Sequence, residues 1–175
     1  NVHILFSDKL STERINDTLS RLPLKLTDGD RKTIYCCERS VKESGHGVDT
    51  IMVDFSQLLD HLNATLRHCQ DYLVAVCPHG YGGYRPAATG RSQAAATEID
   101  RQGQIIFGGL RDRDYFLRTN RYEGASIRPV FQCSDAHCTE HIGRGFSWVK
   151  ALPTFEGLRQ AMLEPEGRLA LDLVS

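Results

Sequence analysis

Apolar residues recur along this chain with two periods, the helical and the extended, in alternating order. Val2–Phe6, "VHILF", is a short extended run. Ser11 can cap a helix whose apolar positions Ile15, Leu19 and Leu22 return at helical spacing. Thr33–Cys37 predicts a strand, and Glu38–Ser44 a short helix closed by Gly45. Ile51–Phe55 predicts another strand, after which Ser56 caps a helix carrying Leu58, Leu59, Leu62 and Leu66. Tyr72–Cys77, "YLVAVC", is continuously apolar, as a strand buried on both faces would be. Further on, helices are predicted over Ser92–Gln102, Arg111–Arg118 and Thr154–Leu163, the last capped by Thr154. Strands are predicted over Gln104–Phe107, Arg128–Cys133 and Phe146–Lys150, with Leu169–Leu173 as a final extended run.

This alternation predicts a single α/β domain over residues 1–175, with mostly parallel strands near 2–6, 51–55, 72–77, 104–107, 129–133 and 146–150. Either an open sheet or a sector of a barrel satisfies it. A complete eight-unit barrel needs about 250 residues. The chain begins at Asn1 without a Met, which leaves open a fragment, a trimmed chain or an incomplete one.

Composition adds little to this. Hydrophobic residues make up 41% and charged residues 25%, so a packed core is expected and disorder is not. The net charge of -1 supplies no global basic field for nucleic acid, although a local patch stays open. No apolar run is long enough to span a bilayer, and no signal peptide is visible. The expectation is a cytoplasmic protein with no membrane partner. The six cysteines include no CxxC pair, and Cys36 and Cys37 are adjacent. Reduced, mostly buried thiols fit better than a disulfide framework.

The candidate chemistry centres on "VFQCSDAH", residues 130–137. In an extended "CSDAH", Cys133, Asp135 and His137 point one way, and Ser134 and Ala136 the other. A carboxylate and an imidazole on one side can share a divalent metal, or simply hydrogen-bond in a turn. His79 follows the buried run and opens the loop "PHGYGGYRPAATG". It can serve as a strand-end ligand or as a loop hydrogen-bonding group. His3, inside "VHILF", reads as a core histidine or a ligand. His61 and His68 are expected on the solvent side of their helix. Cys133, His137, Cys138 and His141 are spaced more tightly than in usual structural zinc sites. The Gly-rich loop lacks the GK[ST] ending of a P-loop. Arg85, Arg91, Arg111, Arg113, Arg118, Arg121 and Arg128 suit phosphate contacts or a solvated, charge-balanced surface.

Taken together, SDAH after a buried strand, a His in an earlier apolar strand and the "PHG" turn between them resemble the PHP (polymerase and histidinol phosphatase) phosphoesterase domain. The tail "SDAHCTEHIGRGFSWVKALPTFEGLRQAMLEPEGR" is similar to the end of the PHP domain fronting AAA-like or SMC-like ATPases of the TrlF type. The resemblance implies part of a distorted (β/α)7 barrel with a metal cluster at the carboxyl ends of its strands. It implies metal-dependent hydrolysis of phosphate esters, plausibly in nucleic acid, with Mn, Zn, Fe or Mg as cofactor. Position by position, it makes His3, His79, Asp135 and His137 metal ligands, with Asp135 and His137 at the centre of catalysis. Arg85 becomes a phosphate clamp. An ATPase domain of the same full-length protein and nucleic acid become the implied partners. The family's opening HxH motif, its following Asp-His pair and the Glu of GxE have no counterpart here. That favours the C-terminal part of such a domain, or a catalytically inactive module derived from it.

Overall fold

The computed structural model describes residues 2–26, 33–78, 97–109, 112–113, 116, 127–134 and 136–171. In chain order come strand β1 (Val2–Phe6), helix α1 (Thr12–Ser20), strands β2 (Pro23–Leu26) and β3 (Ile34–Tyr35), helix α2 (Glu38–Ser44), strand β4 (Ile51–Met52) and helix α3 (Phe55–Asn63). They are followed by β5 (Tyr72–Val76), β6 (Ile105–Phe107), β7 (Val130–Phe131), β8 (Ser147–Val149), helices α4 (Phe155–Leu163) and α5 (Pro165–Arg168), and β9 (Leu169–Leu171). Residues 97–102 are also helical. The chain divides into two compact units: unit 1 is Asn1–Leu5 with Leu73–Ser175, and unit 2 is Phe6–Tyr72.

Unit 1 is built on a four-stranded sheet of order β1-β5-β6-β7. β5 and β6 run parallel, Ala75 opposite Ile105, and β6 and β7 run parallel, Ile106 opposite Val130. Every residue of β5 is buried, as its unbroken apolar run requires. Gln104 lengthens the ladder with its side chain: its Oε1 accepts from Val74 N–H at 2.9 Å while its own N–H donates to the Val74 carbonyl at 2.8 Å. Truncating a side chain such as Leu73, which is wholly buried, costs about 2–5 kcal/mol.

β1 departs from the parallel expectation. Just after it, Ser7 N–H donates to the Asp71 carbonyl, immediately before β5, at 2.8 Å. Near its start, His3 meets Phe107, the last residue of β6, with ring centroids 5.2 Å apart. Were β1 parallel to β5, the Ser7–Asp71 contact would leave His3 roughly 30 Å from that end, at about 3.3 Å per residue. β1 therefore runs antiparallel to β5. Among the described residues this sheet is mixed and does not close into a barrel.

Two other predicted parallel strands also lie elsewhere. Residues 146–150 yield β8, which pairs antiparallel with β9, Trp148 opposite Ala170. Ile51–Phe55 yields only β4, which pairs antiparallel with β2 in the β3-β2-β4 sheet of unit 2. The helix start explains the short strand. Asp54, not Ser56, is the N-cap of α3, accepting from Gln57 N–H at 3.0 Å, and it also holds Lys25 of β2 at 3.0 Å. Asp and Ser cap equally well; the Lys25 contact favours Asp54.

Unit 2 keeps Leu24, Leu26 and Ile34 at its core, with Cys36, Val41 and Ile51 against them. α1 is capped by Ser11, and α2 ends at Gly45 in the left-handed conformation (φ 74). His61 faces inward, contrary to expectation: its Nε2 donates to the Thr18 carbonyl of α1 at 2.7 Å, and Leu62 beside it is fully buried. His68 is exposed. None of the six cysteines is in a disulfide, and none is fully buried: four are half-buried, and Cys133 and Cys138 are exposed. Among the described residues, no helix is long and apolar enough to cross a membrane.

Candidate functional site

In sheets with parallel strands, ligands gather outside the carboxyl ends, where the loops leave the backbone ladder. Here that rim receives the connections after β5, β6 and β7, and the antiparallel β1 brings its first residues to the same rim.

The connection after β5 starts with half-buried Cys77 and buried Pro78 and leads into residues 79–96. His79 and Arg85 belong to that stretch and lie outside the described residues, as does Asp135. The connection after β6 is tightly built. Gly109 N–H donates to Asp112 Oδ2 at 2.9 Å, and the Asp112 and Arg113 N–H groups both donate back to the Gly109 carbonyl at 3.0 Å. The Asp112 carboxylate thus makes the half of a capping box in which the third helical residue reaches back to the N-cap N–H. A Cβ on Gly108 would lie 2.7 Å from the Asp112 carboxylate, so the glycine lets the buried Asp112 close over the strand end. Sequence reasoning missed Asp112; the spacing of Gly109 and an acid three residues later was the available signal.

After β7 the chain leaves the ladder sooner than expected. The strand predicted as Arg128–Cys133 stops at Phe131. Beyond it, Ser147 Oγ accepts from Gln132 N–H at 2.7 Å and donates to the Gln132 carbonyl at 3.2 Å, so one side chain replaces a strand partner. The strand alternation expected through "CSDAH" therefore does not apply: Cys133, Ala136 and His137 are all exposed. The Oε1 of Gln132 is buried and has no hydrogen-bond donor among the described residues.

Of the proposed ligands, the described ones are His3 and His137. His3 is exposed, its ring standing edge-on to Phe107 at 79°. His137 is exposed and precedes a 3-10 turn, Thr139–His141. In that turn the Glu140 carboxyl is held below its ordinary value, first by its own backbone N–H, then by the Thr139 hydroxyl at 2.9 Å and the Cys138 thiol. Among the described residues, no three His, Cys, Asp or Glu side chains converge on one point, the Cys133–His141 cluster included.

Arg128, grouped with the phosphate-suited arginines by sequence, has a structural role. It is buried, and its guanidinium donates to the carbonyls of Asp100 and Arg101 at the end of the 97–102 helix. A cation there satisfies orphan carbonyls and opposes the helix dipole.

No family model, curated protein or solved structure matches the chain.

Proposed function

We propose that the chain is the C-terminal part of a PHP-type metal-dependent phosphoesterase barrel, with its active centre at the carboxyl rim of β5, β6 and β7. The observation that carries the reading is the arrival of His3 at this rim. β1 is antiparallel, yet its histidine stands at the end of β6, beside the exits of the strands that lead to His79 and to the Asp135–His137 pair. Gln132 Oε1, one residue past β7, is buried with no donor among the described residues and adds a polar atom in need of a donor or cation.

The donor set suits Mn, Zn or Fe, since it joins imidazoles to one carboxylate. The described donors alone make no such centre, so the reading requires His79 and Asp135 to join His3 and His137. Metals bound there would lower the pKa of a water and clamp the phosphoryl oxygens. The chain's own residues do the rest. The edge contact with Phe107 orients the His3 ring, and the Ser147 clasp on Gln132 fixes the start of the segment bearing Asp135 and His137. Arg85 orients the substrate phosphate through its planar fork.

The test is Mn titration by calorimetry on the chain and on Asp135→Ala and His137→Ala, alongside hydrolysis of a chromogenic phosphodiester. Each substitution should weaken metal binding at least tenfold, and Asp135→Ala should abolish metal-dependent turnover in the complete domain. Unchanged metal affinity in both variants would refute the assignment. A second reading, a PHP-derived module without turnover that packs on an ATPase or nucleic-acid partner, draws support from the exposed aromatic rings of β8. It predicts no metal-dependent hydrolysis even in the complete domain.

A further inference from the structure

The antiparallel pair β8–β9 has one side committed and the other open. Ser147 turns toward Gln132. By strand alternation Trp148 then stands on the opposite side, where the ring of Phe146, just before β8, meets it. Phe146 is 47% exposed and Trp148 54%, and their rings meet edge to face with centroids 5.7 Å apart. Across the ladder Trp148 faces Ala170, whose methyl is too small to cover an indole. One step further, Lys150 and Arg168 adjoin, Lys150 N–H donating to the Arg168 carbonyl at 2.7 Å. An open groove of 350 Å³ runs past Trp148, Lys150, Arg168 and Ala170.

The charges around these rings are unequal. Arg168 is held by Glu164 at 2.8 Å, and Glu166 also lines the groove. Among the described residues, Arg144 and Lys150 pair with no carboxylate. The face thus offers two exposed rings, Trp148 on β8 and Phe146 just before it, bracketed in sequence by Arg144 and Lys150, which pair with no carboxylate among the described residues. With centroids 5.7 Å apart, the two rings fall within one nucleotide step of an extended strand. Rings for bases and cations for phosphates, on an open sheet face, are the elements of a single-strand platform.

We propose that the open face of β8–β9 binds single-stranded nucleic acid, with Phe146 and Trp148 stacking on successive bases and Arg144 and Lys150 contacting the phosphates. This does not depend on the phosphoesterase reading, because the face contains none of the proposed metal ligands.

Trp148 is the chain's one tryptophan, so its fluorescence reports on the face directly. The experiment titrates the full chain with a twelve-nucleotide oligothymidylate in EDTA, which stops metal-dependent hydrolysis. It follows tryptophan quenching and, in parallel, the anisotropy of the labelled oligonucleotide. Quenching that salt reverses is expected. Phe146→Ala should weaken binding roughly tenfold, and Lys150→Gln should lower the salt slope by about 0.7. Both side chains are exposed, and circular dichroism checks that the variants fold. The proposal is overturned if tryptophan emission does not change, or if binding survives undiminished in both variants. It is equally overturned if sedimentation shows Trp148 covered by a second copy of the chain, or if quenching occurs only with a protein ligand.

Discussion

Two glycines ten positions apart should respond to the same substitution with opposite signs. Gly157 sits in the first turn of α4, and Gly167 in α5. In a helix interior, Gly→Ala ordinarily gains about 1 kcal/mol. At Gly157, however, the preceding turn folds back over the helix start, with Thr154 N–H donating to the Leu152 carbonyl at 2.8 Å. A methyl on Gly157 would lie 2.0 Å from that carbonyl oxygen and 3.0 Å from the Leu152 carbonyl carbon and nitrogen. Non-bonded carbons rest at about 3.5–4.0 Å, so the obstruction is backbone that no rotamer change removes. Overpacking costs about 1–3 kcal/mol, and a rigid neighbour puts this site at the upper end. After the helix gain, a net loss of about 2 kcal/mol is expected for Gly157→Ala, or roughly 4–8 °C in Tm. Around Gly167 nothing lies within 4 Å, so Gly167→Ala should be neutral or stabilising by up to about 1 kcal/mol. Thermal melts followed by circular dichroism measure both. Hydrogen exchange should localise the Gly157 effect to residues 150–171. If Gly157→Ala melts at or above Gly167→Ala, the close approach is not rigid and the reasoning fails.

Other outcomes follow from the polar groups. The Asp71 carboxyl is held below its ordinary value, first by the Arg67 side chain at 3.0 Å and then by the Arg67 N–H at 2.9 Å. Its folded pKa is depressed, so its contribution is fully present above the unfolded value of about 3.9 and is lost as pH falls below it. Urea midpoints measured from pH 6 down to about pH 3 should fall less steeply in Asp71→Asn than in the parent. Burial first, and the neighbouring Cys37 second, push the Cys36 thiol up. Timed maleimide labelling read by mass spectrometry should therefore modify exposed Cys133 and Cys138 well before Cys36. Thr154→Ala removes the cap on Gly157 N–H, made at 3.1 Å, and should cost about 1 kcal/mol in the same melts.

Features set within a few residues were legible in the sequence. Ser11 and Thr154 each cap the helix that follows, α2 closes at Gly45, and "YLVAV" is the most buried strand. What escaped was decided at long range. β2 went unread because Pro23 at its start looks like a break, although a first-position proline loses no interior ladder bond. Its alternation of buried Leu24 and Leu26 with exposed Lys25 spans too few residues to stand out. Strand direction has no periodic signature at all, so neither the reversal of β1 nor the β8–β9 pairing could be read from spacing. At the candidate site, His3 stands beside the end of β6 only because β1 is reversed, which strand logic did not foresee. Strand logic also failed past Phe131, because the ladder there is completed by Ser147, fifteen residues on.

The hydrogen bond between Ser7 and Asp71 bears on how the chain assembles. β1 and β5 are neighbours, yet residues 7–71 separate them. Closing so long a flexible loop costs about 3 kcal/mol more than closing a two-residue turn. A folded unit 2 removes that cost beforehand, since it holds its own entry and exit 2.8 Å apart. Assembly in which unit 2 forms first and β1 docks on β5 afterwards avoids the entropic barrier, and the long sequence separation no longer slows the pairing. By its connectivity unit 2 is an insertion between β1 and β5, and a short turn joining Phe6 to Tyr72 leaves the order of the sheet's strands unchanged.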